Sequence, residues 1–415
     1  MSAANGQDGT VSERASLVMG KAARDLFRLD RLDVARKVCG MALAMDPRPA
    51  NCHSVMASVH EAAREWDQAI EHWRAAVARA PDIPGHQFNL ALAELRAGDC
   101  ASGFDRYEWR LAKEDWASLA IPKSFVALRH RVPQPGDDLT GKHLVAFTEQ
   151  GLGDNIWAAR WLPMLARRGA RVTLLTRTVL EPVLGRIAGL DRILAAPDGG
   201  KLAKANLAAW AESCDGFVPL MTLPRLAGVR RAGDMAGATL PWLAPDGARV
   251  HAWRQRYAAA APRATRRIGV VWRASPDNMT SPQRSMAAAC LAPLATLEDT
   301  QFINLQGGPA DGRDALARVL PGSFDPLASG EPPLDKFAAA IAATDLLVTI
   351  DTMALHLAGS MGHPCWAMLP HAPSFYWGTD GDGCAWYPGM RCFRQTRRGD
   401  WSGPVEAVRD ALATC

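Results

Sequence analysis

The sequence predicts an all-α repeat array followed by two α/β units with parallel sheets. Three observations predict it. Small residues and prolines recur at a spacing of 34 in the first third of the chain. After residue 142, strand-like apolar runs alternate with helical stretches. Two of those runs end in turns that open helices, the arrangement that puts ligands at the carboxyl ends of parallel strands.

Composition sets the frame for this reading. The chain has 415 residues, room for roughly two to four domains. With 48% hydrophobic and 22% charged residues it belongs with folded chains rather than disordered ones. A net charge of +4 is too weak to argue for nucleic acid, yet it permits an anionic ligand. No run approaches the ~18 uninterrupted apolar residues of a membrane span, and residues 1–10 lack the apolar core of a signal peptide. The nine cysteines are scattered without a C-x-x-C pair, so a reducing cytoplasm is the expected location.

The first element, residues 1–117, reads as about three repeats. Ala35, Ala42 and Pro47 are followed 34 residues later by Ala69, Ala76 and Pro81. This is tetratricopeptide spacing: alanines let two helices approach and proline stops the second. A third copy, 84–116, keeps Leu90, Ala91, Gly98 and Tyr107 but carries Gly103 and Arg110 at the small-residue positions, as a terminal unit would. Repeat arrays are mostly binding modules, so a protein partner is expected on this surface. His60-Glu61-Ala62-Ala63-Arg64 begins like a zinc-protease helix but lacks the second histidine. Residues 118–141, with Pro122, Pro133, Pro135 and Gly136, read as a linker.

Residues 142–248 form the first expected α/β unit. Its strands are 143–148, 171–176, 192–196 and 216–220, and its helices are 154–168 and 178–187. Residues 249–415 form the second, after a connecting segment, 244–262, rich in Ala and Arg. Its strands are 268–272, 301–305, 346–350 and 365–369, and its helices 334–343, 353–361 and 405–413.

Three turns could carry chemistry. Glu149-Gln150-Gly151-Leu152-Gly153-Asp154-Asn155 opens a helix at a strand end. Ile156 stands where a dinucleotide fingerprint needs its third glycine, and no G-K-[ST] occurs, so NAD and a Walker loop are disfavoured. Residue types alone leave Asp154 either a helix cap or a general base. In the second turn a buried strand delivers Asp351 and Thr352 to a helix N-terminus, which suits a phosphate, with His356 one turn in; a packed histidine behind an Asp-Thr cap is the alternative. The third is the loop 272–285, whose Arg273 and Arg284 can pair with phosphate oxygens or stand in solvent. Eight arginines lie between Arg249 and Arg284. Asp380-Gly381-Asp382 matches the D-x-D of metal-dependent sugar transferases, but its glycine-rich run argues against a strand-end metal site.

The segments 149–154 and 350–359, together with the repeats, resemble bacterial tetratricopeptide-repeat glycosyltransferase-like proteins, whose C-terminal part is similar to lipopolysaccharide heptosyltransferases. Residues 386–395 and 399–401 look like that group too. The resemblance implies a GT-B architecture of two Rossmann-like domains: an acceptor side (142–248) and a nucleotide-sugar donor side (249–415). It implies an inverting hexosyl or heptosyl transfer that uses no metal and no cofactor beyond the nucleotide-sugar. Carried over by position, Asp154 is the base, with Gly151, Gly153 and Gln150 in its acceptor loop. Asp351, Thr352, Met353 and Ala354 receive the donor, His356 supports that loop, and Arg284 or Arg273 neutralises the leaving diphosphate. Expected partners are a protein such as flagellin or another surface protein, or a glycan acceptor, with no nucleic acid. Two departures are Met353, where these enzymes commonly have Gly, and Lys336-Phe337-Ala338-Ala339, where relatives often show Asp-Thr-Ala-Ala. They motivate the alternative of a non-catalytic scaffold with a degenerate GT-B part.

Overall fold

A computed structural model describes residues 5–112, 123–196, 207–210, 212–235, 238–276, 281–308, 310–327 and 333–414. It contains two compact units. One holds residues 1–114 with 230–232 and 374–379; the other holds 115–229, 233–373 and 380–415, and so includes both sheets.

The first unit consists of the helices α1 (Asn5–Arg28), α2 (Leu32–Met45), α3 (Ala50–Ala62), α4 (Trp66–Arg79), α5 (Pro84–Arg96) and α6 (Cys100–Tyr107). They pack as three successive hairpins. Ala35, Ala42, Ala69 and Ala76 are all buried where the helices approach. The 34-residue period also appears in the backbone. Asp30, Arg64 and Gly98, each at the turn inside a hairpin, have φ of 59°, 62° and 87°. Left-handed backbone ends a helix sharply, and only the third turn uses glycine for it. In the third hairpin a Cβ on Gly103 would come 2.7 Å from Leu95 Cδ2, so a small residue is required there too. Arg110 is fully buried and pairs with Glu108 at 2.7 Å. Glu61, in the zinc-protease-like stretch, is instead taken up by Arg96 (2.9 Å) and the Trp73 indole (3.3 Å). Phe375, from the segment 374–379, packs edge-on against Phe104, their centroids 6.4 Å apart.

The second unit begins earlier than expected. Of the stretch read as a linker, residues 118–122 lie outside the described residues. The remainder includes a 3-10 helix (Lys123–Arg131) whose Phe125 is buried against Phe147 and Phe217. Then follow β1 (His143–Phe147), α7 (Leu152–Ala158), α8 (Leu162–Arg167), β2 (Arg171–Thr176), α9 (Glu181–Leu184), β3 (Arg192–Ala195), β4 (Gly216–Pro219) and α10 (Leu223–Leu226). The expected helix 154–168 is split by a 3-10 turn (Ala159–Trp161) ahead of Pro163. Only four residues of 178–187 are α-helical. Pro182 lies at their start, and a Cβ on Gly185 just after them would meet the Glu181 carbonyl oxygen at 2.9 Å.

The remaining elements are α11 (Gly247–Ala260), β5 (Arg266–Val271), α12 (Ser281–Arg284), β6 (Thr300–Asn304), α13 (Ala310–Val319), α14 (Leu334–Ala342), β7 (Leu346–Ile350), α15 (Met353–Met361), β8 (Cys365–Leu369), β9 (Arg391–Arg394) and α16 (Ser402–Ala413). The Ala- and Arg-rich connection is thus a helix, N-capped by Asp246, whose carboxylate accepts from the Arg249 N–H. A fifth strand, β9, joins the second sheet.

All the sheet pairings are parallel. The orders are β3-β2-β1-β4 and β6-β5-β7-β8-β9. Each is doubly wound: in the first sheet the order reverses between β1 and β4, in the second between β5 and β7. Ligands of open α/β sheets bind outside the carboxyl ends of strands at such reversals. The turns after β1, β5 and β7 are the three turns singled out from sequence. Among the described residues no helix is long and apolar enough to cross a membrane.

Candidate functional site at the two sheet reversals

The turn after β1 is held by its own polar side chains. Asn155 Oδ1 accepts from the Glu149 N–H (2.9 Å), and Asn155 Nδ2 donates to the carbonyls of Glu149 (2.5 Å) and Gly151 (2.7 Å). Glu149 is fully buried, and its Oε1 accepts from the Met221 N–H after β4 (3.0 Å), tying together the loops on either side of the reversal. Gln150 stands at φ 57°. Gly151 is the N-cap of α7, and Asp154, three positions on, accepts from its N–H with Oδ2 (2.9 Å). The carboxylate is therefore oriented by main chain.

The turn after β7 is braced from outside. Asp351 is buried, with 3% exposure. Arg284, at the end of α12, donates to the Asp351 carbonyl (3.1 Å) and its Nη1 lies 3.5 Å from Oδ1. Thr352 is the N-cap of α15 in extended backbone and makes no side-chain cap. The Thr352 side chain therefore takes neither the Ala354 nor the Leu355 N–H, and the Leu355 N–H donates instead to the Thr352 carbonyl (3.1 Å). Arg284 Nε is buried without a hydrogen-bond partner among the described residues. Such an unpaired donor costs about 1–3 kcal/mol, which an anionic oxygen would relieve.

The loop after β5 is described to residue 276 and again from 281. Ser285 Oγ accepts from the Ala274 N–H (3.0 Å) and Ser281 Oγ donates to the Ala274 carbonyl (3.2 Å). Gln306, after β6, clamps the main chain of Arg273: its Oε1 accepts from the Arg273 N–H (2.8 Å) and its Nε2 donates to the Arg273 carbonyl (3.0 Å). The Arg273 residue itself is exposed.

The turns after β1 and β7 meet. Helices α7 and α15 pack together, and a Cβ on Gly153 would stand 2.6 Å from His356 Cδ2. Glycine is required for that approach. His356 is 3% exposed, and its Nδ1 lies 3.0 Å from the Tyr387 hydroxyl. Burial, helped by the cations Arg160 and Arg284, pushes its pKa down to about 3. The imidazole is neutral at pH 7 and takes no part as an acid.

Other sequence candidates fall elsewhere. Trp272 belongs to the core of the second sheet, with Ile268, Val270 and Val348. Phe337 is buried on α14, while Lys336 is exposed. Asp380 and Asp382 are exposed, and the carbonyls of Gly381 and Asp382 accept from Arg394 and Cys392 of β9 (both 2.7 Å). Among the described residues no group of three His, Cys, Asp or Glu side chains could hold a metal. Sequence reasoning gave no role to Glu149, Asn155, Arg160, Gln306 or Tyr387.

No protein-family model matches the chain. A curated relative, Protein FlbA of Caulobacter vibrioides, is 27% identical over 343 residues, 80% of this chain and 55% of the relative. The chain thus spans about half the length of the curated relative it matches. Three solved structures overlay on it. A glycosyl transferase family 9 protein from Veillonella parvula is 16% identical over 67% of this chain and 98% of its own, with a TM-score of 0.48. The Escherichia coli ADP-heptose lipopolysaccharide heptosyltransferase II is 16% identical over 66% and 99%, with a TM-score of 0.44. A Thermobaculum terrenum O-GlcNAc transferase mutant is 13% identical over 100% and 92%, with a TM-score of 0.31. Overlays this loose assign no residue a role.

Proposed function

We propose that the chain is a glycosyltransferase of GT-B architecture, moving a sugar from a nucleotide-sugar donor to a hydroxyl of a protein or glycan acceptor. The transfer is metal-independent and inverting. The observation that carries this reading is the contact of Gly153 with His356, which sets the Asp154 turn beside the N-terminus of α15 at the two sheet reversals. Asp154 takes the acceptor proton. The N–H groups of Met353 and Ala354 and the guanidinium of Arg284 receive the donor diphosphate. Asp351 serves by holding Arg284 in place, since a carboxylate would repel phosphate directly. No metal is needed, because the helix dipole and arginine supply the positive field at the leaving group. The tetratricopeptide-like hairpins select the protein acceptor or partner.

Calorimetric titration of the full chain with UDP, GDP, ADP and CMP, followed by donor turnover, tests the reading. One nucleoside diphosphate should bind, and its sugar conjugate should turn over. The structural duties of both acids, Asp154 on the Gly151 N–H and Asp351 on Arg284, favour the competing scaffold reading. If no nucleotide binds, the scaffold stands and the transferase falls.

A further inference from the structure

The first hairpin carries an apolar face that the other two lack. Of the nine large apolar side chains exposed among the described residues, six belong to α1, α2 and the turn between them. Val18 of α1 is 66% exposed and Met41 of α2 is 59% exposed. The spacing of Val34, Met41 and Met45 (i, i+7, i+11) sets three of the six on one face of α2. That face is not the one that meets α3. Toward α3 the two helices present Gly20, where a Cβ would stand 2.6 Å from Cys52 Sγ, and Gly40, where it would stand 3.9 Å from Met56 Cε. A repeat unit that ends an array in water needs a polar outer face, and this one is apolar.

The repeat period shows what covers such a face elsewhere in the array. Val18 and Ala22 are exposed, yet their equivalents 34 residues on, Cys52 and Met56, are buried. They are buried against Ala23 of α1 and Cys39 and Ala42 of α2, so each position receives a hairpin of the same kind. Leu90, a further 34 residues past Met56, packs in the same way on Ala57, Trp73 and Ala76 of the hairpin before it. Charge then selects the occupant. Arg14, Val18 and Asp25 (i, i+4, i+11) follow one exposed line along α1, with a cation at one end and an acid at the other. Asp25 is held by Arg28 only loosely, at 3.8 Å. This line is self-complementary. Two α1 helices related by a two-fold axis passing between Met19 and Gly20 run antiparallel, and Arg14 of each copy then stands beside Asp25 of the other. Parallel helices would set like charges together.

We propose that the outer face of α1 and α2 is a homodimer interface, in which two copies of this chain pack their first hairpins together about a two-fold axis with the α1 helices antiparallel. Val18, Met41 and Met45 form its apolar part, and two Arg14–Asp25 pairs lie at its polar rim. A two-fold contact uses the same face on both copies and closes on itself, so it yields pairs rather than filaments. The inference concerns the repeat array alone and does not rest on the glycosyl-transfer reading.

Sedimentation velocity of the full chain over a concentration series tests it, with far-UV circular dichroism to check that each variant keeps its helices. The wild type should reach twice the chain mass and no more. Val18→Glu and Met41→Glu change exposed side chains, and each should raise the dimer Kd at least about tenfold, because the charge enters the apolar contact from both copies. Arg14→Glu should weaken the dimer about 3- to 30-fold by turning two exposed pairs repulsive. Adding Asp25→Arg to Arg14→Glu should restore it, since the pairs return with their signs exchanged. A wild type that stays monomeric up to about 100 μM overturns the proposal. So does a dimer indifferent to both glutamate variants, and so does a charge exchange that restores nothing. None of these readings depends on whether the chain turns over a donor.

Discussion

The turns after β1 and β7 do the same topological job by opposite means. Each leads from a buried parallel strand at a sheet reversal into a helix, and the two helices touch. The first is satisfied from within: Asn155, Glu149 and Asp154 use their side chains to tie down main chain of the same turn or the neighbouring loop. The second makes no side-chain cap, and its acid is spent on an arginine from a different loop. A turn that consumes its own polar groups can aim one carboxylate. A helix N-terminus without a side-chain cap and with a cation beside it is suited to an anion. The proposed function gives acid–base work and anion binding to different turns, and substitution can separate them.

The largest expected effect is on the first turn. In Asp154→Asn the amide oxygen still accepts the Gly151 N–H, so the turn keeps its shape while the base is lost. Donor-dependent turnover should fall roughly 10²- to 10⁴-fold, with nucleoside diphosphate affinity unchanged in the same titration. Wild-type turnover in this variant would dissolve the division of labour. The second turn should give the reverse split. Arg284→Ala should weaken nucleoside diphosphate binding by about 1.5–3 kcal/mol, the range for charged hydrogen bonds. Arg284→Lys should lie between, because it keeps the charge without the planar fork. Undiminished affinity in the alanine variant would remove the anion site from Arg284.

Both strands feeding these turns were legible as short apolar runs ended by a turn, and the repeat was legible as a spacing. Several elements were not, α11 and β9 among them. In α11 only Tyr257 is buried, so no apolar period marks that helix. The four residues of β9 begin and end with arginine, so no apolar run marks the strand. At the site, Gly153 and Asp351 could be picked out because a strand–turn–helix motif surrounds them. Arg160 and Tyr387 could not, because their meeting joins segments more than 200 residues apart and no spacing encodes it. The tryptophan excess is partly explained: Trp157, Trp161 and Trp386 pack edge to face around Arg160.

A smaller effect tests whether the two turns are mechanically joined. In Gly153→Ala the new methyl would stand 2.6 Å from an imidazole that is itself stopped by Tyr387, and Tyr387 by Gly359. The overlap has no cheap escape, so the variant should lose about 1–3 kcal/mol, as overpacked cores do, read as a lower denaturant midpoint. Equal stability would mean that α7 and α15 are free to part.

The smallest effect is on pH, and it belongs to the second turn alone. His356 is held near 3 by burial and by two cations, against an ordinary value of 6.5. Its folded pKa lies below its unfolded one, so below pH 6.5 the unfolded chain binds the extra proton. The contribution to stability is therefore fully present above pH 6.5 and is lost as pH falls from 6.5 towards 3. The slope approaches ~1.4 kcal/mol per pH unit, which amounts to about 1 kcal/mol between pH 7 and 5.5. His356→Gln keeps an N–H donor but does not titrate, so its denaturant midpoint should fall less over that interval than the wild type's. Any other acid-sensitive group contributes equally to both chains, and the difference isolates α15. If the two chains lose stability in parallel, His356 is not the neutral, buried partner that ties α15 to the Asp154 turn.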